Sequence, residues 1–297
     1  MRELVVVAAE VEAALRDGTP VVALETTIVA HGFPAGEGVR VGLECERRVR
    51  AAGAVPATVG VLDGAVRVGL TEAELERFGP DARKAGPRDL AACAVQQAVG
   101  ATTVGGTLAV CRPAGIRFMA TGGIGGVHRG FPSPPDVSAD LAELARAAAL
   151  VVSAGVKSLL DVPATGEALE TLGVPVLGWR TDELPLFYAP RGGPPVSARV
   201  ESAAEASAIA RAHWALGRSS ALVLARPVEG GIDDAEPLIE LALAEAAARG
   251  ISGQAVTPFV LSRLHEASGG RTLAVNRRLA ADNAGLAAEV AVAFASG

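Results

Sequence analysis

Short β-branched runs alternate with longer amphipathic segments along most of the 297-residue chain. Val21–Glu25 is a continuous apolar run closed by a carboxylate, as expected of a strand covered on both faces. Residues 37–52 place apolar side chains at helical spacing and stop at Gly53, which predicts an amphipathic helix. Residues 57–62 and 66–69 flank Asp63-Gly64, a hairpin signal. Thr71 with Glu74 three positions on spells a capping box, and Pro87 opens a predicted helix over 88–99. Residues 117–120, 150–153, 175–178 and 221–225 read as further strands, and 203–216, 235–249, 257–268 and 271–294 as helices. This alternation predicts an α/β fold, a three-layer α/β/α arrangement with a largely parallel central sheet. The Pro/Gly-rich stretches at 130–135 and 190–195 are loop-sized, so residues 1–297 read as one domain.

Composition narrows the function classes. Aromatics are only 3% of the chain, so Ala, Val, Leu and Ile must build the core. A formal charge of −6 argues against a nucleic-acid surface, which needs a basic patch. Cys45, Cys93 and Cys111 are odd in number and widely spaced, which excludes a disulfide framework and fits a reducing compartment. Glu3, Glu10 and Glu12 interrupt the first apolar stretch, which is unlike a signal peptide. The uncharged run at 90–111 carries Gln96, Gln97, Thr102 and Thr103 and is too polar for a bilayer span. The expectation is a soluble, cytoplasmic protein with no membrane partner.

Lysine is the informative residue. Lys84 and Lys157 are the only two in a chain with 27 basic residues. Arginine replaces lysine as a surface charge but cannot lose its proton or form an imine. Lysines kept in an arginine-rich background are therefore candidates for amine chemistry. Lys157 follows the apolar approach Val151-Val152-Ser153-Ala154-Gly155-Val156. Only roughly one free lysine in 2,500 is neutral at pH 7, and desolvation raises that fraction steeply. The plain alternative is an ion pair with Asp161, four residues on. Lys84 sits in a short basic turn ahead of the predicted helix at 88–99, where it either holds an anion or is simply solvated.

In such sheets active sites lie at the carboxyl ends of strands. Glu25 ends one, at the edge of the core, where partial desolvation favours a general acid. Residues 121–130 hold four glycines before His128 and Arg129, and exposed amides there suit a phosphate. Asp136 and Asp140 would share a helix face and could both approach a hard divalent cation, although Ser138 or Asp136 could equally cap that helix. Asn276 and Asn283, the only asparagines, fall two helical turns apart.

Taken together these segments resemble the pseudouridine-5′-phosphate glycosidase family. The resemblance runs in order through Ala23-Leu24-Glu25-Thr26-Thr27-Ile28, His31-Gly32, Gly53-Ala54-Val55-Pro56-Ala57-Thr58, Lys84 with Arg88-Asp89-Leu90, and Gly100-Ala101-Thr102-Thr103-Val104. It continues with Ala120-Thr121-Gly122-Gly123-Ile124-Gly125-Gly126-Val127-His128-Arg129-Gly130, Asp136-Val137-Ser138-Ala139-Asp140-Leu141 and Ala154-Gly155-Val156-Lys157-Ser158. Gly173-Val174-Pro175, Thr257-Pro258-Phe259 and Asp282-Asn283-Ala284 complete it.

The resemblance implies reversible cleavage of the C–C bond between uracil and ribose 5-phosphate. It implies Lys157 as the nucleophile that forms an imine with the sugar and Glu25 as the proton donor. Lys84, Val104 through its backbone N–H, Ser138, Ala139 and Asp140 would contact substrate, with His128 and Asn283 as further pocket residues. Asp136 would bind one manganese ion per subunit, in a homotrimer. An amine is what this reaction calls for: the leaving atom is carbon, which a carboxylate pair alone cannot protonate as it would a glycosidic oxygen. A lysine-dependent aldolase and a non-catalytic sugar-phosphate sensor share part of these requirements.

Overall fold

A computed structural model of the chain describes residues 4–34, 36–130, 136–232 and 235–297. Its strands are β1 (Val5–Val7), β2 (Val21–Glu25), β3 (Val55–Leu62), β4 (Ala65–Val68), β5 (Arg83–Ala85), β6 (Gly100–Thr102), β7 (Phe118–Ala120), β8 (Leu150–Ser153), β9 (Val176–Trp179), β10 (Ala198–Val200) and β11 (Leu222–Ala225). They form one sheet in the order β1-β4-β3-β2-β7-β8-β11-β9-β10, with β6 on β3 and β5 on β6. Pairing is parallel except for β3 with β4 and with β6. The flanking helices make it the α/β/α fold that the alternating pattern predicts.

The central strands β2, β8 and β11 are buried along their whole length, which is why they read as unbroken apolar runs. The β3–β4 hairpin turns at Asp63 and Gly64, with φ of 52° and 77°. A two-residue hairpin of this hand needs positive φ at both positions, and Asp-Gly supplies it. Thr71 and Glu74 do form the capping box. The longest helix, Arg271–Ala295, packs across β2, β7 and β8 and against the helices Glu37–Ala51 and Ala203–Ala215.

The predicted helix at 88–99 is shorter than expected. A 3₁₀ turn at Pro87–Asp89 leads into Leu90–Val95, and Gln97 with φ of 53° ends it. The chain is then free to enter β6. Lys84 is likewise not in a turn: it lies on β5, opposite Ala101 of β6.

Candidate active site

The parallel neighbours β2, β7 and β8 are in register, Leu24 opposite Ala120 and Ala120 opposite Val152. Their carboxyl ends therefore deliver Glu25, Thr121 and the segment leading to Lys157 to one edge of the sheet. There they line a pocket whose walls include Glu25, Lys84 and Lys157. Lys84 reaches it because Thr26 and Thr102 pin β6 beside β2: Thr26 Oγ1 accepts from the Thr102 N–H at 2.8 Å, and Thr102 Oγ1 donates to the Val59 carbonyl at 2.6 Å. Lys157 stands outside any helix, its N–H bonded to the Ile124 carbonyl at 3.1 Å. Asp161 is not paired with it but caps the helix Val162–Thr171, accepting from the Ala164 N–H at 3.0 Å.

Glu25 is 5% exposed. Burial pushes its carboxyl above the usual value, while the charge of Lys157 and hydrogen bonds donated by the Thr121 and Thr27 hydroxyls pull it down. One threonine holds each carboxylate oxygen. Lys84 is shifted the opposite way for a cation: burial, then the charge of Lys157, lower its pKa, against Asp140, Glu25 and Asp136. His128 belongs to the same cluster. Burial lowers its pKa, Asp136 raises it, and Lys84 and Lys157 lower it again, which favours a neutral imidazole.

Two sequence expectations change here. Asp136 and Asp140 do not share a helix face, because the helix Ala139–Leu144 begins after the Ser138 cap and leaves Asp136 outside it. Asp140 is buried, and its oxygens accept from the Gly105 N–H at 2.7 Å and the Gly125 N–H at 2.8 Å. A Cβ at Gly125 would lie 2.3 Å from Ser138 Oγ, so that contact requires glycine. The glycine-rich loop offers an anion only part of its amides, those of Gly122 and Gly123 on the pocket wall among them. The amides of Ile124, Gly125, Val127 and His128 are spent on other segments, and Arg129 is tied to Glu236, Ser158 and Leu160.

Val104 opens the helix Val104–Ala114. Asp140 and Thr103 take the next two amides, and the Val104 N–H has no partner among the described residues. Ser138 and Asp136 are half-buried and Ala139 is exposed. His128 Nδ1 lies 3.6 Å from the Asp136 carboxylate. Asn283 is fully buried behind the pocket wall, donating to the Thr121 carbonyl at 2.9 Å and that of Gly122 at 3.5 Å.

With this geometry in place, likeness to known proteins decides the family. The family model described as "Indigoidine synthase A like protein" matches residues 10–293. The chain belongs to this family. Its curated relatives include pseudouridine-5′-phosphate glycosidases from Herpetosiphon aurantiacus, 48% identical over 97% of both chains, and from Geobacillus kaustophilus, 44% identical over 98% of this chain and 99% of the other. Among solved structures it resembles the prealnumycin C-glycosynthase AlnA in complex with ribulose 5-phosphate, with a TM-score of 0.89, 37% identity and coverage of 100% and 98%. It also resembles an indigoidine synthase A-like protein from Thermotoga maritima, with a TM-score of 0.88, 36% identity and coverage of 98% and 97%.

In this indigoidine synthase A-like chain, Thr27, Thr121 and Phe187 are among the pocket residues that carried no assigned role in the sequence. Thr27 and Thr121 hold Glu25 from two elements 94 positions apart, which no local pattern reveals. Phe187 lines the pocket with φ of 65°, a conformation rare for an aromatic residue. Removing the hydroxyl that Thr121 donates leaves burial less opposed. In Thr121→Val the limb of the pH–rate profile that reports Glu25 should move to higher pH, with kcat lower and the protein still folded. An unmoved limb would show that the hydroxyl does not tune the acid.

Proposed function

We propose that the chain catalyses the reversible cleavage of pseudouridine 5′-phosphate to uracil and ribose 5-phosphate, through an imine at Lys157. The observation that carries this reading is a lysine amine and a buried glutamate, its pKa raised by burial, on the walls of one pocket at the carboxyl ends of adjacent parallel strands. The names of the relatives support the same chemistry.

Written in the direction of synthesis, Lys157 Nζ adds to the aldehyde carbon of open-chain ribose 5-phosphate and water leaves, forming the imine. Uracil C5 attacks that carbon, and the imine's electron pair moves to nitrogen. The proton on C5 passes to the Glu25 carboxylate, and the sugar hydroxyl closes the ring as the C–N bond breaks, its proton ending on the departing Lys157 amine. In cleavage Glu25 returns the proton to uracil. Lys84, His128, the Val104 N–H, Ser138 and Ala139 would meet the sugar phosphate, while Asp140 and Asn283 hold the loops that present them.

A divalent cation fits Asp136 in one respect only. No group of three or more His, Cys, Asp or Glu gathers among the described residues, so no protein cage exists. A half-buried carboxylate beside a histidine suits a hard ion such as manganese that keeps most of its waters. When bound it would offset phosphate charge.

Residues 1–297 as one domain, the homotrimer and the cytoplasmic location belong to the same reading. Cys45, Cys93 and Cys111 are free and buried, consistent with a reducing compartment, and burial pushes the Cys45 and Cys111 thiols up to about 12. No helix among the described residues is long and apolar enough to cross a membrane. Mixing the protein with uracil, ribose 5-phosphate and manganese should give a product whose C–C bond survives acid hydrolysis, and a chelator should suppress it. Condensation of the sugar with another aldehyde, and no uracil product, would replace this reading with an aldolase. Sedimentation tests the trimer.

A further inference from the structure

The pocket is tight as well as buried. Its walls enclose about 90 Å³ of open space, whereas a cavity of about 150 Å³ holds one benzene ring. A pyrimidine joined to a sugar phosphate is larger than that ring, so a wall must move for it to enter or leave. Most walls are fixed. Glu25 ends β2, Lys84 lies on β5, and the helix Thr27–His31 packs on the helix Glu37–Ala51 and on β6. The remaining side is made by Thr257, Pro258 and Leu261, on the helix Val256–Ala267.

That helix packs chiefly on the helix Ala235–Ala248. Arg263 Nε lies 2.7 Å from the Glu245 carboxylate, and the Arg249 guanidinium 5.5 Å from the centre of the Phe259 ring. Pairs that descend in one helix as they ascend in the other show an antiparallel hairpin held together as a unit. Among the described residues, its polar ties to the rest of the chain gather at one end. Glu236 bonds to Arg129 at 2.6 Å, and His265 Nδ1 and Ser268 Oγ lie 2.6 and 3.1 Å from Thr272 Oγ1. Gly269 and Gly270 stand at that same end with φ of 61° and 82°, and a Cβ on either would meet nothing within 4 Å. Thr257 and Pro258 are at the other end, on the pocket. We propose that residues 235–268 form a lid that pivots on Gly269 and Gly270, opening to admit substrate and closing to keep water from the imine. This rests on the function proposed above.

The test is hydrogen exchange read by mass spectrometry on the full chain, free and with ribose 5-phosphate fixed by borohydride. In the free protein the amides of 235–268 should exchange at least about tenfold faster than those of 271–295. Fixing the sugar should slow 235–268 about tenfold and change 271–295 less than about twofold. Gly269→Ala and Gly270→Ala force a side chain into left-handed backbone and disfavour closure. Each should speed exchange in 235–268 alone and raise the KM for ribose 5-phosphate about fivefold. A hairpin that exchanges no faster than the long helix, or that keeps its rate once the sugar is fixed, overturns the lid. Wild-type protein that takes up no sugar overturns the function instead, and the exchange rates of the free protein then decide the lid.

Discussion

Lys157→Arg should lower turnover by at least about 10⁴-fold while ribose 5-phosphate still binds. The guanidinium keeps a positive charge where Lys157 acts on Glu25 and Lys84, so the surrounding electrostatics change little. What disappears is the ability to lose a proton and bond a carbonyl carbon. Lys157→Ala is a less clean test, because it also frees Lys84 from a repelling neighbour and Glu25 from an attracting one. Steady-state assay in both directions, with sugar-phosphate binding by calorimetry, measures the split. A variant within tenfold of wild type in turnover would mean that the amine is not the nucleophile.

Glu25→Gln should cost roughly 10² to 10⁴ in kcat, the range for a positioned general acid–base. Its pH signature is more telling than its size. Burial raises the Glu25 pKa, so the carboxyl keeps its proton to a higher pH than a free glutamate does. Cleavage uses the protonated form and should slow as pH rises through that value. Synthesis uses the carboxylate and should slow as pH falls through it. Both limbs should vanish in Glu25→Gln, and a retained limb in either direction would assign it to another group.

Much of this was legible in the chain because it is locally encoded. β2 and β8 are contiguous apolar runs, the β3–β4 turn is Asp-Gly, and two lysines stand out against an arginine-rich background. What escaped depends on long-range partners. β5 is Arg83-Lys84-Ala85, which has no strand pattern and exists because β6 pairs with it. The helix Val104–Ala114 contains Gly105, Gly106 and Pro113, poor helix formers, yet it forms under tertiary packing and takes Asp140 at its first turn. Asp140 looked like a ligand because its spacing from Asp136 suggested a shared face. Its buried amide partners, 15 and 35 positions away, cannot be seen in sequence. The two threonines on Glu25 were hidden for the same reason.

Reduction with borohydride in the presence of ribose 5-phosphate, followed by peptide mass mapping, tests the central claim most directly. Borohydride converts an imine to a stable secondary amine, which fixes the sugar where it was bound. A pentose phosphate adduct on the peptide that contains Lys157, absent in Lys157→Arg, is the expected result. No adduct under conditions of measurable turnover, or an adduct at Lys84 instead, would contradict it.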